Sequence, residues 1–202
     1  MTHYIYKAGK AGLAPILLLH STGGDEEQLL PLAQQIAPES PVLSIRGRVA
    51  ENGVNRYFRL RGQGFTKENF DLVSLAEESK WLADEIVKLA DFYQLDSEKF
   101  TVIGYSNGAN VALYMNLAGI FKFDKIIAFH AMQLTEMEQI AQSNSKIFLT
   151  NAENDSIVSV ENFNGLLADL SKTGSQTEIF KTNAGHQLTE SEVNAAKDWL
   201  HG

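Results

Sequence analysis

The 202-residue chain contains no cysteine, which excludes a disulfide framework and any metal site that depends on thiolate ligands. Basic residues are also scarce: 17 Lys and Arg against 25 Asp and Glu leave a formal net charge of −8. This charge argues against nucleic acid as a partner and against binding to an anionic membrane surface. Long hydrophobic runs are missing too, since the longest covers only residues 13–19 and contains Pro15. Such a run is far too short to span a bilayer.

The first residues, Met-Thr-His-Tyr-Ile-Tyr-Lys, do not combine a cationic leader with an apolar segment, so we expect no signal peptide and a cytoplasmic location. Hydrophobic residues make up 44% of the chain, which is enough for a large core. No linker, repeat or low-complexity run divides the sequence. We therefore expect a single domain over residues 1–202.

Short β-rich runs and helical patterns alternate along the chain. The predicted strands cover residues 3–7, 15–20, 41–45, 100–105, 125–130, 146–150 and 177–181, and the predicted helices cover 26–37, 68–94, 106–118, 160–171 and 189–200. The last helix opens with the pattern of a capping box, Thr189-x-x-Glu192. The central strands are continuously apolar, as expected for strands covered on both faces. This order predicts an α/β fold with a mainly parallel, seven-stranded sheet and helices on both faces. In such sheets, ligands bind beyond the carboxyl ends of the strands.

One of these ends carries the spacing of a nucleophile elbow, G-x-S-x-G, at residues 104–108. The sharp turn between strand and helix should strain the backbone of Ser106 and push its hydroxyl out above the sheet. Gly104 and Gly108 lack a Cβ, so strand and helix can approach closely enough to make that turn. The N-terminus of the following helix favours developing negative charge. We therefore predict that Ser106 is the nucleophile of an acyl-transfer reaction.

Such a serine needs a base, which follows both the nucleophile and the acid in the chain order of this arrangement. His186 follows the last predicted strand in a loop whose Gly185 can bring the imidazole close to the elbow. We predict that His186 is the base. His201 is penultimate and is predicted to fray, and His130 precedes every plausible acid. We interpret His130 as a wall of the substrate pocket.

The acid that orients the base should follow the strand predicted at residues 146–150. Two carboxylates lie there, Glu153 and Asp155. Asp155 leads into the apolar pair Ile157-Val158, which would turn it inward, whereas Glu153 lies closer to the end of the strand. We predict Asp155 as the orienting acid, with Glu153 as its rival.

An oxyanion hole needs one N–H from the residue after the nucleophile and one from the loop after an earlier strand. The first donor would be Asn107. The loop at residues 19–26 reads Leu-His-Ser-Thr-Gly-Gly-Asp-Glu, and its paired glycines let the backbone aim amides inward. We predict the amide of Thr22 as the second donor. The alternative is an ordinary strand-to-helix turn, which also favours Gly and Asp.

With these motifs the chain resembles the small carboxylesterase/phospholipase family of the α/β-hydrolases, and most closely the MhqD-like serine hydrolases. The matching segments lie at 19–26, 42–48 (Val-Leu-Ser-Ile-Arg-Gly-Arg), 51–59 (Glu-Asn-Gly-Val-Asn-Arg-Tyr-Phe-Arg) and 104–110, with Asp155 and Gly185-His186 in their places. The resemblance implies an α/β-hydrolase domain without a lid and metal-independent ester or thioester hydrolysis. Where the family usually has His-Gly, this chain has His20-Ser21, whose side chain could narrow the acyl pocket or add a hydroxyl to the hole.

All five arginines of the chain lie in the long segment 46–66: Arg46, Arg48, Arg56, Arg59 and Arg61. Segments of this length without regular structure are usually functional or disordered. The arginines either pair with the protein's own carboxylates, or one or two of them hold an anionic group of the substrate. In the second case, Arg46 and Arg56 would bind the anion, and Tyr57 and Phe58 would form an apolar wall.

The sequence therefore predicts a serine hydrolase that cleaves small carboxylic esters or thioesters through Ser106, His186, Asp155 and an acyl-enzyme. No metal and no cofactor is expected. The expected partner is a small-molecule ester, which could carry a carboxylate, and a homodimer is left open. Two alternatives remain: a non-catalytic ligand-binding or sensor protein on the same fold, and a small-peptide hydrolase. The presence of all three residues argues against a sensor, because a binding protein has no need of them.

Overall fold

The computed structural model describes residues 2–202 and contains a central sheet of seven strands in the order β1-β3-β2-β6-β7-β8-β9. These strands are β1 (Tyr4–Lys7), β2 (Ile16–Leu19), β3 (Val42–Ile45), β6 (Thr101–Tyr105), β7 (Lys125–Phe129), β8 (Lys146–Ala152) and β9 (Gln176–Thr182). All neighbouring pairs are parallel except β1, which runs antiparallel to β3 at the edge. The predicted mainly parallel, seven-stranded sheet is confirmed.

Within residues 2–202, five α-helices pack on the sheet: α1 (Leu30–Ile36), α2 (Leu72–Tyr93), α3 (Asn107–Leu117), α4 (Val160–Leu170) and α5 (Glu190–His201). Alternate side chains of β2 enter two different cores, because successive residues of a strand point to opposite faces. Leu17 and Leu19 pack with residues of α2, α3 and α4, whereas Ile16 and Leu18 pack with residues of α1 and α5. Helices therefore cover both faces of the sheet, as predicted.

Two helices begin later than the sequence patterns indicate. The helix predicted at 26–37 starts only at Leu30, so that Pro31 falls in its first turn, where a missing N–H costs nothing. The helix predicted at 68–94 starts at Leu72, because the side chain of Asp71 caps it by accepting hydrogen bonds from the amides of Val73 and Ser74. At the start of α5, the predicted capping box between Thr189 and Glu192 is present.

The arginine-rich segment 46–66 contains a hairpin that the sequence analysis missed. Strands β4 (Val49–Glu51) and β5 (Val54–Arg56) pair antiparallel across Asn52-Gly53. Both turn residues have positive φ, 53° and 79°, as a two-residue turn of this kind requires. Within residues 2–202, the connections between the sheet strands hold helices and this hairpin but no lid domain.

None of the helices in the described part of the chain is long and apolar enough to cross a membrane. The cytoplasmic location stays a prediction from the sequence.

Candidate active site

Ser106 lies in the sharp turn between β6 and α3 with φ 50° and ψ −109°, a strained conformation for a residue with a side chain. Its amide donates to the carbonyl of Phe129 in the neighbouring strand at 2.9 Å. A Cβ on Gly104 would lie 2.6 Å from the backbone nitrogen of Ala109, and one on Gly108 would collide with the carbonyl oxygen of Leu19. The two glycines are therefore required for the turn, as the motif predicts.

The structure brings Ser106, His186 and Asp155 into one line of contacts. The Oγ of Ser106 is 2.9 Å from Nε2 of His186, and Nδ1 of His186 is 2.7 Å from Oδ2 of Asp155. The imidazole side chain is 16% exposed, whereas the carboxylate of Asp155 is only 1% exposed. Glu153, the rival acid, is exposed at the surface.

The second oxygen of Asp155, Oδ1, accepts hydrogen bonds from the amides of Ile157 at 2.8 Å and Val158 at 3.0 Å. Burial by itself raises the pKa of this carboxyl. The contacts with His130 and His186 and the two amide bonds outweigh burial, so the pKa of Asp155 lies well below its usual range. Asp155 is therefore ionised at neutral pH.

Two contacts that the sequence analysis missed hold the loop that carries His186. The hydroxyl of Tyr105, the residue before Ser106, donates to the backbone oxygen of His186 at 2.7 Å. The amide of Gly185 donates to Oδ1 of Asn154 at 2.9 Å. The loop of the base is thus tied to the elbow on one side and to the loop of the acid on the other.

The predicted oxyanion donors lie on the two segments that flank the elbow. Asn107 is the first residue of α3, where helical N–H groups have no partner within the helix. In the loop after β2, the amides of Ser21, Gly23 and Gly24 bond to Gln28, Asn55 and Ser21 respectively. The amide of Thr22 has no such acceptor within residues 2–202, so it is free to bind a ligand.

The hydroxyl of Ser21 does not add a donor to this hole. Its Oγ bonds to the side chain of Gln28 at 3.1 Å instead. His20 anchors the same loop, because its Nδ1 lies 2.7 Å from the carbonyl of Ser21 and its Nε2 accepts from the amide of Gly47 at 3.0 Å. Burial lowers the pKa of His20, so the ring is neutral and carries its proton on Nδ1.

The apolar substrate wall predicted at Tyr57 and Phe58 is wrong, because both side chains belong to the core, with exposures of 2% and 1%. The hydroxyl of Tyr57 accepts from the amide of His20 at 3.0 Å and donates to the carbonyl of Ile45 at 2.6 Å. The amide of Tyr57 donates to Oδ1 of Asn107 at 2.8 Å. Tyr57 therefore supports the oxyanion loop from behind.

Most of the arginines pair with the protein's own carboxylates. The ion pairs are Arg46 with Glu26, Arg48 with Glu78 at 2.6 Å and Arg61 with Asp71 at 3.2 Å. For Arg46, Arg48 and Arg61 the structure therefore shows the first alternative, pairing with the protein's own carboxylates, and the binding of a substrate anion by Arg46 stays a prediction.

Arg56 differs from these three arginines. Its Nη1 donates to Oγ1 of Thr22 at 3.3 Å, and its guanidinium lies 5.4 Å from the ring centroid of Phe65. It forms no ion pair with any carboxylate of residues 2–202. Burial lowers the pKa of Arg56, but an arginine stays charged at neutral pH. The structure thus places a cation without a direct carboxylate partner beside the predicted oxyanion loop, although the charge of Glu51 also acts on it.

His130 is not a wall of a pocket, because its side chain is fully buried behind Asp155. Its Nδ1 lies 3.4 Å from Oδ2 of Asp155, and its Nε2 lies 2.9 Å from Oε1 of Glu192 in α5. Burial lowers the pKa of His130, but the two carboxylates outweigh burial and raise it to about 9. The sequence analysis assigned Glu192 only to the capping box and did not connect it with this site.

Two open clefts lie on the surface beside Ile157, which follows Asp155 in the chain, and beside Arg56. One has a volume of about 390 Å³ and is lined in part by Phe65, Lys67, Met132 and Ile157. The other has a volume of about 420 Å³ and is lined in part by Arg56 and, again, Phe65. Both are large enough for a small organic substrate.

Among residues 2–202, one group could offer three ligand atoms to a metal: His130, Asp155 and His186, whose donor atoms lie within 4.8 Å of one another. The 2.7 Å between Nδ1 of His186 and Oδ2 of Asp155 is a hydrogen-bond distance. Two ligands on one tetrahedral zinc ion stand more than about 3 Å apart. The cluster is therefore a hydrogen-bonded array and not a metal cage.

The parallel sheet, the strained serine turn and the surrounding helices define an α/β-hydrolase. The family model of the dienelactone hydrolases matches residues 61–198, and the chain belongs to the dienelactone hydrolase family. It is 30% identical over 202 residues to the putative hydrolase MhqD of Bacillus subtilis (strain 168), an alignment that covers 97% of this chain and 96% of that protein.

Solved structures agree with this placement. YahD, solved with malic acid, is 59% identical to this chain and superposes on it with a TM-score of 0.97. The match covers 100% of this chain and 98% of the YahD chain. A carboxylesterase of Bacillus cereus is 32% identical, with a TM-score of 0.92 and coverage of 100% and 94%. The chain is therefore a hydrolase of this α/β family.

Proposed function

We propose that the protein is a serine hydrolase that cleaves small carboxylic esters or thioesters through an acyl-enzyme. The observation that carries the proposal is the line of contacts from Ser106 Oγ to His186 Nε2 and from His186 Nδ1 to Asp155, at 2.9 and 2.7 Å. In an acyl-transfer site this geometry lets the imidazole remove the serine proton while the carboxylate stabilises the imidazolium.

In the proposed reaction, Ser106 Oγ attacks the acyl carbon and its proton passes to Nε2 of His186. The amides of Thr22 and Asn107 bind the oxyanion. His186 then returns the proton to the leaving oxygen or sulfur, and the bond to the leaving group breaks. Water, deprotonated by the same imidazole, then attacks the acyl carbon. The bond between this carbon and Ser106 Oγ breaks, Oγ takes the proton back from His186, and the acid is released.

We further propose that Arg56 favours substrates that carry a carboxylate. Its guanidinium has no carboxylate partner within residues 2–202, and it contacts Thr22 of the oxyanion loop. The relative YahD was solved with malic acid, a small dicarboxylate. Both observations support an anionic group on the substrate close to the reacting carbonyl.

The proposal is tested with a small panel of neutral and carboxylate-bearing aryl and alkyl esters, the corresponding thioesters and one peptide amide. We expect turnover of esters by the purified protein and none by Ser106→Ala, with no loss of activity in EDTA. Turnover of the peptide amide alone would favour a peptide hydrolase. Absence of turnover on every substrate would favour a ligand-binding protein, and activity restored by zinc after EDTA would contradict the serine mechanism.

A further inference from the structure

The proposed reaction makes no use of a buried ionisable pair directly behind Asp155. His130, the residue after β7, and Glu192, in the first turn of α5, are almost fully buried, with 1% and 0% exposure. His130 also has a positive φ of 51°, an uncommon and costly conformation for a residue with a side chain. Its amide is held by Oγ1 of Thr150 at 3.2 Å. The chain thus maintains an unfavourable backbone conformation to keep this imidazole in place.

The imidazole of His130 is held mainly by its attraction to two carboxylates and less by directed hydrogen bonds. Within the described residues, neither ring nitrogen of His130 nor Oε1 of Glu192 has a well-aligned hydrogen-bond partner. Yet Nε2 lies 2.9 Å from Oε1 of Glu192, and Nδ1 lies 3.4 Å from Oδ2 of Asp155. A neutral imidazole would leave these buried polar atoms unsatisfied, which is costly, whereas an imidazolium satisfies both carboxylates by charge.

Two of the groups that face His130 are carboxylates, and a proton on His130 offsets one of their two negative charges. Glu192 approaches from α5 and Asp155 from the loop after β8. The rings of Tyr105 on β6 and His186 after β9 lie 6.0 and 5.3 Å away, between centroids. Burial raises the pKa of Tyr105, so that its phenol is neutral. Two carboxylates therefore share one buried site, and His130 is the cation between them.

We propose that His130 is a positioning residue that, as an imidazolium held by Glu192, keeps Asp155 ionised and turned toward His186. The inference rests on the proposed function, because it assigns Asp155 the task of orienting His186. The carboxylate then has a fixed plane: two amides bind Oδ1, and the rings of His186 and His130 contact Oδ2 from two sides. These contacts fix the orientation in which Asp155 binds the imidazole of His186.

The variant Glu192→Gln removes the negative charge of Glu192 but keeps a side chain of the same shape. A glutamine keeps an oxygen for the amide of Thr189, which donates to Oε2 of Glu192 at 2.8 Å. It removes the negative charge beside Nε2, so that His130 becomes neutral at a lower pH. Glu190→Gln is the matched control, because Glu190 lies in the same helical turn but is exposed.

The test is the pH profile of kcat/KM on a neutral aryl ester. For the wild type we expect activity to fall as His130 loses its proton near pH 9. In Glu192→Gln this alkaline fall should move down by about 1–3 pH units, the usual effect of losing one close opposite charge. Glu190→Gln should superimpose on the wild type. A Glu192→Gln profile that also superimposes would overturn the inference.

His130→Gln and nitrogen NMR complete the test. The variant should lower kcat about 10- to 100-fold with little change in KM, the range known for residues that orient the ligands of a metal site. In protein labelled with ¹⁵N-histidine, the His130 signals, assigned by their loss in the variant, should be those of an imidazolium at pH 7. A neutral ring at pH 7 would overturn the inference while wild-type turnover stayed intact. Failure of the proposed function would instead appear as a wild type without esterase activity.

Discussion

The Oγ of Ser106 and the Nε2 of His186 lie 2.9 Å apart, although 80 residues separate them in the chain. The contact forms because the parallel strands β6 and β9 both end at the same edge of the sheet. Tyr105 adds a direct tie, because its hydroxyl donates to the backbone oxygen of His186 at 2.7 Å. The residue before the nucleophile thus fixes the position of the loop that carries the base.

Tyr105→Phe should lower kcat on an aryl ester by about 2- to 12-fold, because it removes one hydrogen bond worth roughly 0.5–1.5 kcal/mol from the His186 loop. Tyr114→Phe is a suitable control, since Tyr114 is half-buried in α3 and its hydroxyl bonds to no residue in 2–202. Steady-state kinetics of both variants provide the measurement. Equal rates for the two would mean that the tie does not position the base.

Asp155→Asn should lower kcat by roughly 10⁴, the loss seen when the orienting carboxylate of such a triad becomes an amide. Glu153→Gln removes a neighbouring carboxylate that is exposed and should change kcat only a few-fold. Both variants are compared on the same ester at one pH. The reverse ranking would assign the role of the acid to Glu153.

Arg56→Met should reduce kcat/KM for a carboxylate-bearing ester. The transition state would lose about 1.5–3 kcal/mol of stabilisation, the range for a charged hydrogen bond. A neutral ester of the same shape should lose no more than a few-fold. Arg48→Met is the control: it removes the same charge from the same segment, but its guanidinium pairs with Glu78. A loss that is equal for charged and neutral esters would contradict the proposed carboxylate preference.

The free energy of unfolding should decrease between about pH 6.5 and pH 9. Burial lowers the pKa of His130, but Asp155 and Glu192 raise it to about 9 in the folded protein, against about 6.5 when unfolded. Its proton therefore stabilises the fold fully below the unfolded pKa, and this stability is lost as the pH rises through the folded value. Urea unfolding at several pH values measures the effect, which is on the order of 3 kcal/mol. In Glu192→Gln the free energy of unfolding should change less over this pH range. A wild type whose free energy of unfolding stays constant from about pH 6.5 to pH 9 would mean that His130 is neutral throughout.

The sequence was sufficient to predict the sheet, because each central strand is an apolar run bounded by turn residues and the helices carry their own period. It also named Ser106, Asp155 and His186, which the structure places in contact, because their order and their positions after strands leave few alternatives. The roles of these residues remain proposals until they are measured.

The supporting residues were harder to predict. Tyr57 and Phe58 lie in a polar, arginine-rich segment, which suggested an open loop, but the hairpin at Asn52-Gly53 turns this segment back onto the core. The contact of Glu192 with His130 was also missed, because the capping box already explains a glutamate at position 192. Contacts between distant elements, such as that of Glu192 with His130, have no signal in local periodicity.

The most direct test of the central claim is covalent labelling with a fluorophosphonate, read by intact mass and then by peptide mapping. The account predicts one adduct on the wild type, located on Ser106, and none on Ser106→Ala, whose ester turnover should fall by on the order of 10⁶. Ser171→Ala, which removes an exposed serine at the end of α4, should label like the wild type. An unlabelled wild type, or an adduct that persists in Ser106→Ala, would contradict the assignment of Ser106 as the nucleophile.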